Sequence, residues 1–319
     1  MSKEPQSRRY FDILQAKTAY GEGKNVTELL RAQANLEANT PEIIEIAYDL
    51  QAGTYIEAVK ANRDFAMQYA TDLANIIEAH IKPSDCLLDV GTGEITTLSL
   101  VAQNLGVMPA ELFAFDISWS RIYKGLTFAR EQMGDRFAQL TAFVADMSEI
   151  PLPEKSVNIT ISSHALEPNG SILPALLMEL FRVTRDKLLL FEPCYEINTE
   201  QGQKRMDRMG YIKGLDGVVT SLGGTLIDRI ALKNISNPLN PTACYIVRPP
   251  SRAVLESERT VAEFSLPGSS LPLQRIEDFY FSHSTGYCFP ILKSIPILKS
   301  SAAVLASALA SADGSGSTE

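Results

Sequence analysis

Short, nearly continuous apolar runs recur through the middle of the chain, separated by stretches of helical period. Leu87-Leu88-Asp89-Val90, Phe113-Ala114-Phe115, Phe143-Val144-Ala145, Ile159-Thr160-Ile161 and Leu188-Leu189-Leu190-Phe191 suit strands buried on both faces. Their alternation with helical patterns argues a doubly wound, mostly parallel α/β sheet. Thr225 to Ala231 and Ala243 to Val247 supply two further strands around a loop rich in turn residues, Asn237 to Thr242. Residues up to about 80 look helical. One start is Asn39-Thr40-Pro41-Glu42, and a long helix is expected from Tyr55 to Ile81, with apolar positions at Phe65, Tyr69, Leu73, Ile76 and Ile77. Two more helices are expected at Glu200 to Ile212 and Leu215 to Leu222.

The first strand runs into Gly91-Thr92-Gly93-Glu94-Ile95. Two glycines allow a sharp turn and bring backbone N–H groups close to a ligand at a helix start, where the dipole favours negative charge. The second strand ends in Asp116, where a carboxylate can accept both hydroxyls of a ribose. A βα turn without a ligand is the bland alternative, and Asp116 argues against it. A dinucleotide fingerprint wants a third glycine at the position of Thr96, so the NAD pattern fails.

Asp89-Val90-Gly91-Thr92-Gly93 instead resembles the first motif of class I S-adenosylmethionine-dependent methyltransferases, less one glycine at Ile95. Phe143 to Met147 and the passage Ile150 to Ser163 resemble later motifs, with Asn158 where an aspartate is usual. The resemblance covers roughly residues 81–248. It implies a Rossmann-like methyltransferase sheet whose last strand is reversed, and S-adenosyl-L-methionine as cofactor. It also implies cofactor contacts from Asp89, Gly91, Thr92, Gly93, Asp116, Ile117, Asp146, Met147 and Ser163, the glycine turn lying under the methionine part. The segment Tyr48 to Tyr55 is either a turn with packed tyrosines or a lid that brings Tyr55 to the cofactor.

Ligands of open α/β sheets sit beyond the carboxyl ends of the strands. Strand four ends at Ser163-His164-Ala165-Leu166-Glu167-Pro168-Asn169, the richest polar cluster of the core sequence. His164 is the candidate general base because imidazole titrates near neutral pH. Orienting the cofactor or capping the next helix are its other readings. Glu167 joins it as a catalytic candidate, and Glu167, Asn169 and Glu192 are candidates to hydrogen-bond a polyhydroxylated or amino substrate. The expectation is methyl transfer to a hydroxyl or amine of a small polar acceptor, with a sugar, nucleotide sugar or intermediate of polysaccharide biosynthesis foremost. The alternatives are a protein or RNA methyltransferase with a fused activator-like tail, and a cofactor-binding scaffold without catalysis. The strand-four motif Asn-Pro-Pro-Tyr that serves amine acceptors on bases and glutamines is replaced here by Ser163-His164-Ala165-Leu166.

The 319 residues carry a net charge of −9, which argues against a broad nucleic-acid surface. Lys204-Arg205-Met206-Asp207-Arg208 reads as a solvated helix face. The four cysteines, Cys86, Cys194, Cys244 and Cys288, form no metal or disulfide framework. No signal peptide or membrane span is visible, so a cytoplasmic protein is expected. Pro249-Pro250 marks a boundary. Beyond it, Tyr287 to Leu298 resembles the end of the small zinc-ribbon protein that activates several methyltransferases, without its zinc cysteines. The expected organisation is a helical cap over 1–80, the cofactor-binding domain over 81–248, a small metal-free module over 249–305 and a disordered tail over 306–319. Supporting the fold, shaping the substrate pocket and forming a homodimer contact are the roles open to that module.

Overall fold

The computed structural model describes residues 11–37, 39–251 and 263–309. Five helices precede the sheet: α1 (Ile13–Gly21), α2 (Val26–Ala34), α3 (Pro41–Leu50), α4 (Thr54–Ala61) and α5 (Arg63–Glu78). The first three close on a small core of Ala16, Val26, Leu30, Ile43 and Ala47. The start of α3 follows from sequence: Pro41 opens its first turn and Thr40 accepts the Ile43 amide. The single helix expected from Tyr55 to Ile81 is two. Asn62, at φ −136° and ψ 59°, leaves the helical region and divides α4 from α5, a break that apolar periodicity does not register.

The sheet is built from β1 (Cys86–Val90), β2 (Glu111–Asp116), β3 (Leu140–Val144), β4 (Val157–Ser163), β5 (Thr184–Pro193), β6 (Thr225–Ala231) and β7 (Thr242–Arg248). Their spatial order is 3-2-1-4-5-7-6, and β7 alone runs antiparallel to both of its neighbours. The helices between strands are α6 (Thr96–Asn104), α7 (Trp119–Met133), α8 (Leu173–Val183), α9 (Glu200–Met209) and α10 (Leu215–Ser221). This is the doubly wound, mostly parallel Rossmann-like sheet with a reversed last strand that the strand pattern anticipates.

Alternation along each strand divides the core between two faces. Leu87, Leu112, Ala114, Ile159, Ile161 and Leu189 pack under α5, α6 and α7. Leu88, Val90, Phe113, Phe115, Leu188 and Leu190 pack under α8 and α10. The order switches direction at β1, between β2 and β4, so the loops after β1 and β4 diverge and open a crevice at the carboxyl edge.

The C-terminal residues form a small antiparallel arrangement of β8 (Gln274–Ile276), β9 (Phe279–Phe281), β10 (Tyr287–Leu292), β11 (Ile295–Pro296) and β12 (Val304–Leu305). They complete the second face of the main sheet. Phe264 meets Phe143 edge-on at 4.9 Å between ring centres, and Leu273, Phe289 and Leu298 join the same core. Ile297 bridges to Val144 in parallel, and the Leu298 amide donates to the Val144 carbonyl, so this segment covers the β3 edge. Positions 310–319, most of the expected disordered tail, lie outside the described residues. Among the described residues no group of three or more His, Cys, Asp or Glu could hold a metal, and no helix is long and apolar enough to cross a membrane.

Candidate functional site

A cavity opens at the carboxyl ends of β1, β2 and β4, with about 1040 Å³ of atom-free space when its open mouth is counted. Its floor is the glycine turn. Gly91 and Gly93 hold φ of +64° and +61°, a region that disfavours side chains. A Cβ on Gly91 would stand 2.5 Å from that of Ala165, so the turn and the loop after β4 approach as closely as they do only without one.

Asp116 faces the cavity from the end of β2 and is tied to the turn. Its Oδ2 accepts the Gly93 amide at 3.0 Å, and its Oδ1 accepts the Ser118 amide at 2.9 Å. Burial raises its pKa, while the Arg121 charge and both amides pull the other way. Ile117, Ala145, Asp146 and Met147 continue this wall. Ser148 places both its amide and its hydroxyl on Asp146 Oδ1, at 2.8 Å each. Asp89 lies beneath the turn, outside the cavity lining. Burial pushes its pKa up to about 7, with the nearby Asp116 charge adding to the effect.

The opposite wall comes from the N-terminal helices. Tyr48 and Tyr55 line the cavity, and Arg121 lies between their rings at 5.0 and 4.6 Å from the centroids. Glu94 fixes the segment that carries the tyrosines. Helix α4 has no side-chain cap of its own, and Glu94 Oε1 and Oε2 accept the Gly53 and Ile56 amides at 2.8 and 2.9 Å. Asp49 accepts from the Ser118 hydroxyl and the Ser120 amide, and Lys124 donates to the Ala52 carbonyl. Helix α7 can approach Glu94 because residue 125 is glycine. A Cβ there would stand 2.6 Å from the Glu94 carbonyl carbon.

The loop after β4 is governed by Glu192, which is fully buried. Its Oε1 accepts the Ala165 and Leu166 amides, each at 3.1 Å, and the Ser162 hydroxyl at 2.8 Å. Its Oε2 accepts the Glu167 amide at 3.1 Å. Burial moves Glu192 up to about 7 against the pull of the His164 charge, the Leu166 amide and the Ser162 hydroxyl. The substrate-facing place anticipated for Glu192 is therefore corrected: it lies outside the cavity lining and holds the loop. His164, at φ +57°, does line the cavity, but Nδ1 lies 2.5 Å from Glu167 Oε2 and Nε2 lies 2.9 Å from Thr242 Oγ1. Burial alone would lower its pKa. The hydrogen bond and charge of Glu167, with the charge of Glu192, outweigh that and raise it. Glu167 is lowered despite burial, chiefly by His164, and also accepts from Asn240. Like Glu192 it stands outside the cavity lining, whereas Asn169 lies within it and donates to the Ala165 carbonyl. The Ser163 and Tyr69 hydroxyls share a hydrogen bond of 2.9 Å.

Thus Gly91, Thr92, Gly93, Asp116, Ile117, Asp146, Met147, Ser163, Tyr55, His164 and Asn169 meet at one cavity, while Asp89, Glu167 and Glu192 support it from behind. Glu94 and Arg121 escaped the sequence reading. Their signal was an acid inside a glycine turn and an arginine among the apolar positions of α7.

No family model matches this chain, and no curated protein matches its sequence. Among solved structures it is similar to the magnesium protoporphyrin IX methyltransferase ChlM of Synechocystis PCC 6803 with bound S-adenosylhomocysteine, at 14% identity over 59% of this chain and 85% of that one, TM-score 0.47. A complex of the Haloferax volcanii Trm112 methyltransferase activator with its putative methyltransferase aligns at 12% identity over 62% and 94%, TM-score 0.47. Geranyl diphosphate C-methyltransferase from Streptomyces coelicolor A3(2) aligns at 11–12% identity over 56% and 75–78%, TM-score 0.42. Likenesses this distant assign neither an activity nor an acceptor to this chain.

Proposed function

We propose that this chain is a class I S-adenosylmethionine-dependent methyltransferase acting on a small molecule. One observation carries the reading. The two positive-φ glycines and Asp116, linked through the Gly93 amide, open together on a cavity at the switch point of the sheet. The cradle fits the cofactor: Gly91 and Gly93 line it with backbone, Asp116 would present a carboxylate to ribose hydroxyls, and Asp146 and Met147 would face an adenine. S-adenosylmethionine would supply an electrophilic methyl on a sulfonium, open to in-line displacement. The protein's share is to align the acceptor and exclude water, and such positioning can lower a barrier by about 7–11 kcal/mol.

The remaining lining favours an acceptor with an apolar body. Pro41 and Ile44 of α3 stand with Pro168, Ile172 and Leu176 around the same cavity, with Asn39, Thr96, Thr97 and Asn169 as neutral polar neighbours. A sugar acceptor leaned on Glu167 and Glu192, and both are committed to the β4 loop. His164 we assign to holding that loop through Glu167 and Thr242, since both ring nitrogens are engaged. The acceptor's nucleophile would then be one that needs no strong base. The C-terminal module over 249–305 is read as a fused, metal-free relative of the activator protein, on the resemblance carried by Tyr287 to Leu298.

The test is transfer of radiolabelled methyl from S-adenosylmethionine to two acceptor pools, one of apolar phenols and amines, the other of nucleotide sugars. Label appearing in the first pool is expected. Label confined to the second would overturn the apolar reading. Cofactor binding without transfer to either would leave a binding protein and overturn catalysis on these classes.

A further inference from the structure

Arg121 is the single lysine or arginine among the described residues lining the cavity, and its surroundings leave it short of hydrogen-bond partners. It is only 7% exposed. Its Nε is buried with no hydrogen-bond partner among the described residues. Its nearest carboxylate oxygen, Asp116 Oδ2, is 3.8 Å from Nη1, too far for a hydrogen bond. The tyrosine rings on either side satisfy its charge in part and none of its N–H groups. The end of the fork lies over the glycine turn, with Nη2 2.6 Å from where a Cβ of Gly93 would stand. Burying a guanidinium this way costs free energy unless a partner arrives.

We propose that Arg121 is the carboxylate anchor of this site, taking the methionyl carboxylate of S-adenosylmethionine; this rests on the cofactor reading above. The chemistry selects the partner. A planar fork with unused donors matches a carboxylate with two parallel hydrogen bonds. The carboxylate is the one anionic group of a cofactor that otherwise carries an ammonium and a sulfonium, both of which the guanidinium repels. Asp116, whose oxygens already accept the Gly93 and Ser118 amides, stays available to hydroxyls beside it. Tyr48 and Tyr55 hold the fork flat, so the N-terminal helices contribute to cofactor selection without touching the reacting atoms.

The experiment compares S-adenosylmethionine with its decarboxylated analogue, by calorimetry, in wild type and Arg121→Met. Wild type should prefer the carboxylate-bearing cofactor at least tenfold. Arg121→Met should bring the two within about threefold, weakening the carboxylate-bearing cofactor while the analogue, freed of repulsion by the guanidinium, binds at least as tightly as to wild type. Tyr55 is 47% exposed, so Tyr55→Leu should fold, and it should erode the preference partly; it serves if Arg121→Met does not fold. A wild type indifferent to the carboxylate, or a variant that weakens both ligands equally, would overturn the anchor and leave Arg121 a packing residue. If wild type binds neither ligand, the cofactor reading itself fails, and the anchor with it.

Discussion

Glu94, in the turn after β1, accepts the backbone amide of Gly53 at 2.8 Å, across 41 residues of sequence. Its second oxygen takes the Ile56 amide, so one buried carboxylate caps α4 and binds the N-terminal helices to the glycine turn. The wall bearing Tyr48 and Tyr55 is thereby a fixed part of the site.

Replacing Glu94 with Gln keeps the shape and weakens the charge-assisted cap. A loss of about 1–2 kcal/mol of stability is expected, in the range of a lost helix cap. Limited proteolysis should show faster cleavage between residues 48 and 62, and cofactor affinity should fall several-fold. Unchanged cleavage and affinity would show that the α3–α4 segment is held by other contacts.

Phe264 sits between Phe113, Phe143 and Tyr280, so the C-terminal segment supplies part of the main core. Phe264→Ala should destabilise the whole protein by about 3–5 kcal/mol, in a single urea transition. An early, separate transition would mark the segment as an independently folding module.

The His164–Glu167 pair makes stability depend on pH in a defined window. His164 has a raised pKa, so its contribution is complete below its ordinary value of 6.5 and is lost as pH rises through the folded value. Glu167 has a lowered pKa, so its contribution is complete above its ordinary value of 4.5 and is lost as pH falls through the folded value. The pair therefore contributes most between these two ordinary values. Unfolding free energies of wild type and His164→Gln, from urea titrations between pH 4 and 9, should differ most in that window, by about 2 kcal/mol, and converge towards both ends. A difference that grows steadily with pH would contradict the pairing.

The strands and the glycine turn were legible because their determinants are local. Leu87 to Val90 is apolar on both faces, and Gly91 and Gly93 have the backbone freedom the turn uses. Asp116 was legible through its place at a strand end. Glu192 was misplaced because its role depends on three amides of the β4 loop, 25 to 27 residues earlier, which only the parallel pairing of β4 and β5 brings over it. Glu94 and Arg121 were missed for the same reason: each carries a local signal, an acid in a glycine turn and an arginine in an apolar stripe, but the partners that give it meaning lie in the N-terminal helices. His164 was recognised as central, but its neighbours Glu167 and Thr242 change what its ring can do.

The cofactor assignment is tested most directly by calorimetric titration with S-adenosylmethionine, NAD serving as the control ligand and Asp116→Ala as the control protein. Wild type should bind S-adenosylmethionine in competition with S-adenosylhomocysteine and ignore NAD, while Asp116→Ala loses at least tenfold in affinity. Absence of S-adenosylmethionine binding, or equal binding by Asp116→Ala, would contradict the placement of the ribose at Asp116 and the function built on it.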